Sequence, residues 1–458
     1  MDIIGAIVLG LASLLLIFPL AIIAAVATIL PWWGITALAA LLPLNGLTSD
    51  LLVAAGRTDT ALLVGAAKDV VLASLVVAAF TTGRFRRVRR DLLVIVGGLL
   101  LIGAVAAIWT PNLEQAAFGW RNDFEPLVFL LCAPLFVTEH VSRRIVLALA
   151  IGAQVASLVA VTTWALGVSW VYTIGRLPMR EGQRFPSSLF VHNSEVPCEF
   201  SPFSGPNELA VAMAIAIAVI LCQRQWKWRV RAMLSVAPIV AVLLAQSLSG
   251  QTGVIAAVAV AALWAHWRLS KVSAIAFSGL VDVMGTIGAI YYASLQQGGD
   301  ADPSLGGHAA SLAEATALIV ARPVGYGLGQ VGPRAVRYTS DPIHVESFWL
   351  LLGLEAGVLA LVLFVVLLVR RVQISLRART LGAFTGTAVI AASLVSQLVL
   401  LTLQDSAVAY LLRISVGIGL QATSYPGSTA TTGPTSSPEQ SITIATNNRG
   451  RRSLRPRD

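Results

Sequence analysis

The chain has 458 residues, 56% of them hydrophobic and only 12% charged, with a mean hydropathy of +0.79. That composition excludes an ordinary soluble globular domain and makes lipid the expected solvent. The net charge of +9 does not point to nucleic acid, because the basic residues cluster in short segments between apolar runs, where they act first as orientation signals.

Taken in chain order, the apolar runs predict about thirteen spans, at 3–18, 20–42, 63–80, 92–109, 124–137, 145–166, 209–221, 232–247, 254–267, 272–291, 347–369, 381–401 and 406–420. The expected fold class is an all-α polytopic integral membrane protein with 12–13 transmembrane helices, twelve if the residues around Pro19 form one long helix. The N-terminus is apolar from Ile3 but lacks a basic n-region and a small-residue cleavage site, so it reads as a retained span. Cys132, Cys198 and Cys222 fall in different segments and make no disulfide framework.

Arg84, Arg86, Arg87, Arg89 and Arg90 mark the strongest cytoplasmic loop. Alternating the spans places three more basic segments on that side: Arg143 and Arg144, residues 224–231, and residues 370–379. Two long loops, 167–207 and 296–346, then fall on the extracytoplasmic face, and loops of that length usually carry function. Arg176, Arg180 and Arg184 in the first, and Arg322, Arg334 and Arg337 in the second, stand where the orientation rule disfavours them, which points to an anionic ligand. From Gln421 the composition turns to Ser, Thr, Pro, Asn and Gly and ends in an arginine cluster. The expected division is a transmembrane domain, 1–421, and a disordered basic cytoplasmic tail, 422–458.

Within the second long loop, residues 311–320 have helical periodicity and lead into Arg322-Pro323-Val324-Gly325-Tyr326-Gly327-Leu328-Gly329. The next predicted span opens His344-Val345-Glu346-Ser347-Phe348-Trp349 and continues Leu354-Glu355-Ala356-Gly357. Earlier come Lys68-Asp69 at the third span, Arg121 before Glu125-Pro126, and Gly205-Pro206-Asn207-Glu208 at the seventh. In this order the motifs resemble the O-antigen ligase and Wzy-type polymerase superfamily, over residues 68–369. The chain departs from that pattern at three places. Glu346-Ser347 stands where the family usually has His-Asn, His308 replaces the arginine that opens the extracytoplasmic helix, and Gly250-Gln251 replaces Ser-Arg.

The resemblance implies transfer of a glycan from an undecaprenyl-diphosphate-linked donor to a hydroxyl of a glycan or glycolipid acceptor. The reaction belongs to the outer face of the cytoplasmic membrane and needs neither metal nor other cofactor. Such a site needs cations on a departing diphosphate, a base near the attacking hydroxyl and access from lipid. Arg121 matches the family position for the diphosphate, against the bland reading of a snorkelling interfacial arginine. Arg180, Arg184, Arg334, Arg337 and Gln251 are further substrate-binding candidates, and Asn207 suits orientation of its helix start. Glu346 holds the matched base position, His344 lies two residues away with the side chain that most often serves as a base, and His308 is a third candidate. Glu355 should face the bundle interior, with a partner or protonated, flanked by Gly353 and Gly357 at a spacing that lets helices approach. A polysaccharide transporter and a catalytically silent relative are the competing readings.

Overall fold

In the computed structural model the described residues are 19–167, 198–265, 303–340, 342–378, 381–397, 401–404 and 406–424. They are helical throughout, with no strand among them and one isolated backbone bridge between Val331 and Ile343. The helices are α1 (Pro19–Ile29), α2 (Pro31–Leu41), α3 (Asn45–Ala54), α4 (Thr58–Thr81), α5 (Arg90–Ile108), α6 (Leu113–Asp123), α7 (Glu125–Cys132) and α8 (Glu139–Leu166). They continue as α9 (Pro206–Leu221), α10 (Trp228–Leu244), α11 (Leu248–Ala265), α12 (Pro303–Ala321), α13 (Phe348–Ala356), α14 (Val358–Ala378), α15 (Leu381–Gln397) and α16 (Ser406–Ser424). The compact unit ends at Ser424, so residues 422–424, expected at the start of the disordered tail, belong to α16; the rest of that tail, 425–458, and the predicted spans 3–18 and 272–291 lie outside the described residues.

Among the described residues, four segments are long and apolar enough to cross a membrane: Pro31–Ala54, Thr58–Thr81, Arg90–Ile108 and Glu139–Leu166. Their outward faces are apolar. On α5, Val94, Leu101, Val105 and Ile108 are exposed along one side while Val96, Leu99 and Ala106 are buried. Water would make such a row unfavourable, whereas hydrocarbon does not.

At the centre lies α9, whose residues from Leu209 to Ile220 are all buried. Its alternation of alanine with larger apolar residues suits a helix enclosed on all sides, here by α8, α10, α11, α15 and α16. Gly205 and Pro206 set its start, proline being tolerated where no intrahelical donor is needed. Pro238 inside α10 cannot donate to the carbonyl of Leu234, and the Gln154 side chain of α8 donates to that oxygen instead, at 2.6 Å.

Three expected spans differ in shape. Residues 20–42 break at Leu30, where Pro31 opens a new helix. Residues 124–137 give only the eight-residue α7, followed by a 3-10 turn, Ala133–Leu135, containing Pro134. The largest departure is in 347–369. A continuous helix would hold residues 349 and 364 about 22 Å apart, yet the Trp349 and Phe364 rings lie 5.5 Å apart and those of Phe348 and Phe364 lie 5.7 Å apart. The chain therefore folds back at Gly357, and α13 and α14 form a helical hairpin. Gly357 makes the reversal with φ 88° and ψ 170°, a conformation essentially reserved for glycine.

Candidate functional site

The tip of this hairpin is covered by the glycine-rich turn. Tyr326 N donates to Leu354 O at 2.6 Å, Gly327 N to Glu355 O at 3.1 Å, and Val358 N to Pro323 O at 2.9 Å. Gly325 has φ 88°, and a Cβ there would stand 2.6 Å from the Glu355 carbonyl oxygen, so the turn needs glycine for both conformation and approach. On its other side the turn meets α6. Gln115 Nε2 donates to Gly329 O at 2.8 Å, and a Cβ on Gly119 would lie 2.5 Å from Gly329 N. Thr110 Oγ1, just before α6, accepts from Leu328 N at 2.9 Å. The turn is thus a structural joint between α6 and the hairpin.

α6 starts at Asn112, whose side chain accepts from Glu114 N at 2.8 Å. Glu114 and Arg121 are seven residues apart on one helical face. At the first end Glu114 meets Arg337 at 3.8 Å and Tyr338 Oη at 3.3 Å, and Arg337 also lies over the Phe118 ring. At the other end Arg121 donates to Asp69 Oδ2 through Nε at 2.9 Å and Nη2 at 2.5 Å. Lys68 reaches the other oxygen of Asp69 at 3.3 Å. Glu125 faces the same cations and accepts from Tyr410 Oη at 3.3 Å. Lys68, Asp69, Arg121 and Glu125, drawn from α4, α6 and α7, therefore form one charged cluster. Arg121 remains 42% exposed, while Lys68 is buried.

At the C-terminal end of α6, Asp123 is buried and faces the carboxyl of Glu355 and the amide of Gln404, with the cations Arg334 and Arg413 acting on it. Burial pushes the Asp123 carboxyl up to about 6. Glu355 is wholly buried, as its place in an apolar segment led one to expect, and its Oε1 accepts from Gly329 N at 3.0 Å and Val331 N at 3.3 Å. Arg334, in the 3-10 turn Pro333–Arg337, donates to the Gln404 carbonyl. Arg334 is therefore held inward and Arg337 outward.

The chain then pairs back on itself, Gly332 N donating to Ile343 O at 2.9 Å, which delivers His344 and Glu346 to the start of α13. His344 Nε2 lies 3.6 Å from Glu346 Oε1, with the imidazole 69% exposed and the carboxylate 33%. That separation is longer than a hydrogen bond. Ser347 Oγ donates to Gln397 O at 3.3 Å on α15.

A second polar chain leads from the same helix ends. Ser247 Oγ donates to Asn207 Oδ1 at 2.7 Å, and Ser396 Oγ donates to Ser249 O at 2.9 Å, one residue before Gln397. Asn207 thus ties the start of α9 to the start of α11. Gln251 is half-buried there, its backbone N donating to Ser247 O at 3.0 Å. The neighbouring departure from the family pattern has a packing reason: a Cβ on Gly250 would lie 2.2 Å from the Ala210 Cβ.

Of the residues singled out in the sequence, Arg121, Arg334 and Arg337 are joined through α6 and its partners, Glu346 and His344 are adjacent, and Asn207 and Gln251 share a helix junction. The backbone of His308 belongs to α12, its side chain lying outside the described residues, as do Arg180 and Arg184. Sequence reading passed over Asp123, Gln404 and Tyr410. For Asp123 a signal existed: a carboxylate next to a predicted span and two residues after a singled-out arginine. The chain matches no protein-family model and no curated protein sequence.

Proposed function

We propose that this is a polytopic membrane protein of the cytoplasmic membrane that transfers a glycan from an undecaprenyl-diphosphate-linked donor to a sugar hydroxyl on the extracytoplasmic side. The observation that carries the reading is that Lys68 and Asp69 of α4 meet Arg121 and Glu125, more than 50 residues later, in one cluster, a meeting that sequence alone gave no reason to expect. In this reading Arg121 exchanges part of its pairing with Asp69 for the donor diphosphate, an exchange of one charge-assisted contact for another. Glu346, with His344 beside it, takes the proton of the attacking hydroxyl. Arg337 and Arg334 add positive potential along the path, and Asn207 and Gln251 order the neighbouring helix ends.

The test is a deletion strain. Single lipid-linked repeat units should accumulate if the protein polymerises, and long unattached lipid-linked polymer if it ligates. Arg121→Ala and Glu346→Gln should fail to restore the surface glycan while still inserting in the membrane. Normal surface glycan in the deletion strain would end this reading. One observation favours a second: the reversal at Gly357 beside buried Asp123 and Glu355 is the kind of interrupted helix on which transporters build ion-coupled sites. A transporter predicts that the lipid-linked glycan stays on the cytoplasmic leaflet of the deletion strain, whereas a transferase leaves it on the outer leaflet.

A further inference from the structure

We propose that the crevice around Arg371 binds the phosphate of an anionic phospholipid. Arg371 lies on α14 about 20 Å along the helix from the hairpin tip. It is 2% exposed, and its Nε, Nη1 and Nη2 have no hydrogen-bond partner among the described residues. A guanidinium keeps its charge at neutral pH, and a buried charge left unmatched is strongly destabilising. The nearby carboxylate does not answer it: Asp91 is held by Arg89 at 3.0 and 3.1 Å and by Arg370 at 3.0 Å.

The crevice that Arg371 lines runs between α7, α13, α14, α15 and α16 and is partly open to the surroundings. Two further orphan groups line it, Trp349 Nε1 and Ser393 Oγ, together with the buried Arg413. Indole and guanidinium groups only donate, so the lining supplies donors and positive charge, and its ligand must bring acceptors and negative charge. The remaining walls are apolar, Leu367, Leu368 and Leu394 among them. A free phosphate ion gains nothing from such walls, whereas a phospholipid fills both parts, phosphate on Arg371 and acyl chain along the leucines. Arg86, Arg87 and Arg90, exposed before α5, would concentrate anionic lipid at the same end of the bundle as Arg89 and Arg370.

The experiment uses the full chain, purified in neutral detergent, and measures binding of phosphatidylglycerol and of phosphatidylcholine in mixed micelles. The wild type should bind phosphatidylglycerol about tenfold more tightly, and Arg371→Met should abolish the preference. Ser393→Ala should weaken it, and Arg371→Lys should keep part of it. Inorganic phosphate should neither bind measurably nor compete. Equal binding of the two lipids by the wild type overturns the proposal, and so does a preference that survives Arg371→Met. Competition by inorganic phosphate at the same strength makes this a free-anion site and overturns it as well. If Arg371→Met does not fold, the Ser393→Ala measurement and mass spectrometry of phosphatidylglycerol retained by the washed wild type decide: no retained lipid and an unaltered preference refute the site.

Discussion

Replacing Gly357 with alanine tests the hairpin on which the candidate site rests. The residue has φ 88° and ψ 170°, where a non-glycine residue costs about 1–3 kcal/mol. The added Cβ would stand 2.6 Å from Pro323 O and 2.8 Å from Val324 C, both backbone atoms that no side-chain rotation can clear. Moving the turn away strains the bonds Val358 N to Pro323 O and Tyr326 N to Leu354 O, and losing one buried backbone bond costs about 1–3 kcal/mol. Gly357→Ala should therefore destabilise by about 2–6 kcal/mol in all. Gly97→Ala is the matched control: Gly97 lies inside α5 with no atom within 4 Å of an added Cβ, so the change should stabilise by up to about 1 kcal/mol. Thermal and denaturant unfolding of the two variants in the same detergent measures the difference. If Gly357→Ala unfolds like Gly97→Ala, the chain does not reverse at residue 357, and the joint between hairpin and glycine turn is misdescribed.

The other predictions concern single polar groups. Asp123 holds its proton to about 6 in the folded protein, mainly because it is buried, and releases it near its ordinary value of 3.8 when unfolded. Its contribution to stability is therefore complete below about pH 4 and is lost as pH rises through 6, by at most about 3 kcal/mol. Asp123→Asn should remove that part of the dependence, so the wild type should lose more stability than the variant between pH 4 and pH 7; parallel curves would refute the assignment. Gln154→Leu should cost about 1–3 kcal/mol by orphaning Leu234 O, and clearly less in a Pro238→Ala background, where the helix supplies its own donor. Additive effects in that double variant would show that Gln154 does not serve this carbonyl. Gly250→Ser should destabilise, because its Cβ meets Ala210; stability equal to wild type would contradict the packing.

How much of this was legible in the sequence depends on what each signal measures. Hydropathy reports the solvent of a segment, so α4, α5 and α8 were readable from their length and apolarity. It says nothing about direction. Residues 347–369 are apolar apart from Ser347 and Glu355, and only one glycine in a positive-φ conformation separates a span from a hairpin. The glycine-rich turn was visible as punctuation, but its role as a joint was not, because the partners Gln115, Gly119 and Thr110 lie some 200 residues earlier in the chain. Charge placement carried the site further than composition did. A carboxylate within an apolar run has to find donors, and Glu355 finds two backbone N–H groups. Asp123 was passed over because it sits just outside its predicted span, where a charge needs no explanation until the fold buries it.

The same reasoning separates the arginines. Position in the sequence makes Arg121, Arg334, Arg337, Arg370 and Arg371 alike, each next to or near an apolar segment. Packing gives them different chemistry. Arg334 and Arg370 are committed to a carbonyl and a carboxylate, and such contacts hold elements in register. Arg337 pairs loosely at the surface, where an ion pair contributes little to stability and its charge remains available to a ligand. Arg121 combines both states, a two-point grip on Asp69 with much of its side chain exposed, so an anion of higher charge can compete for it without dismantling the fold. Arg371 is buried with no hydrogen-bond partner among the described residues, and it is the arginine for which an outside anion would change stability most. Charge reversal at Arg121 should therefore impair function with little loss of stability, whereas neutralising Arg371 should alter how stability depends on lipid. A variant pair showing the opposite division would mean that exposure and pairing do not sort these side chains into ligand-binding and structural roles.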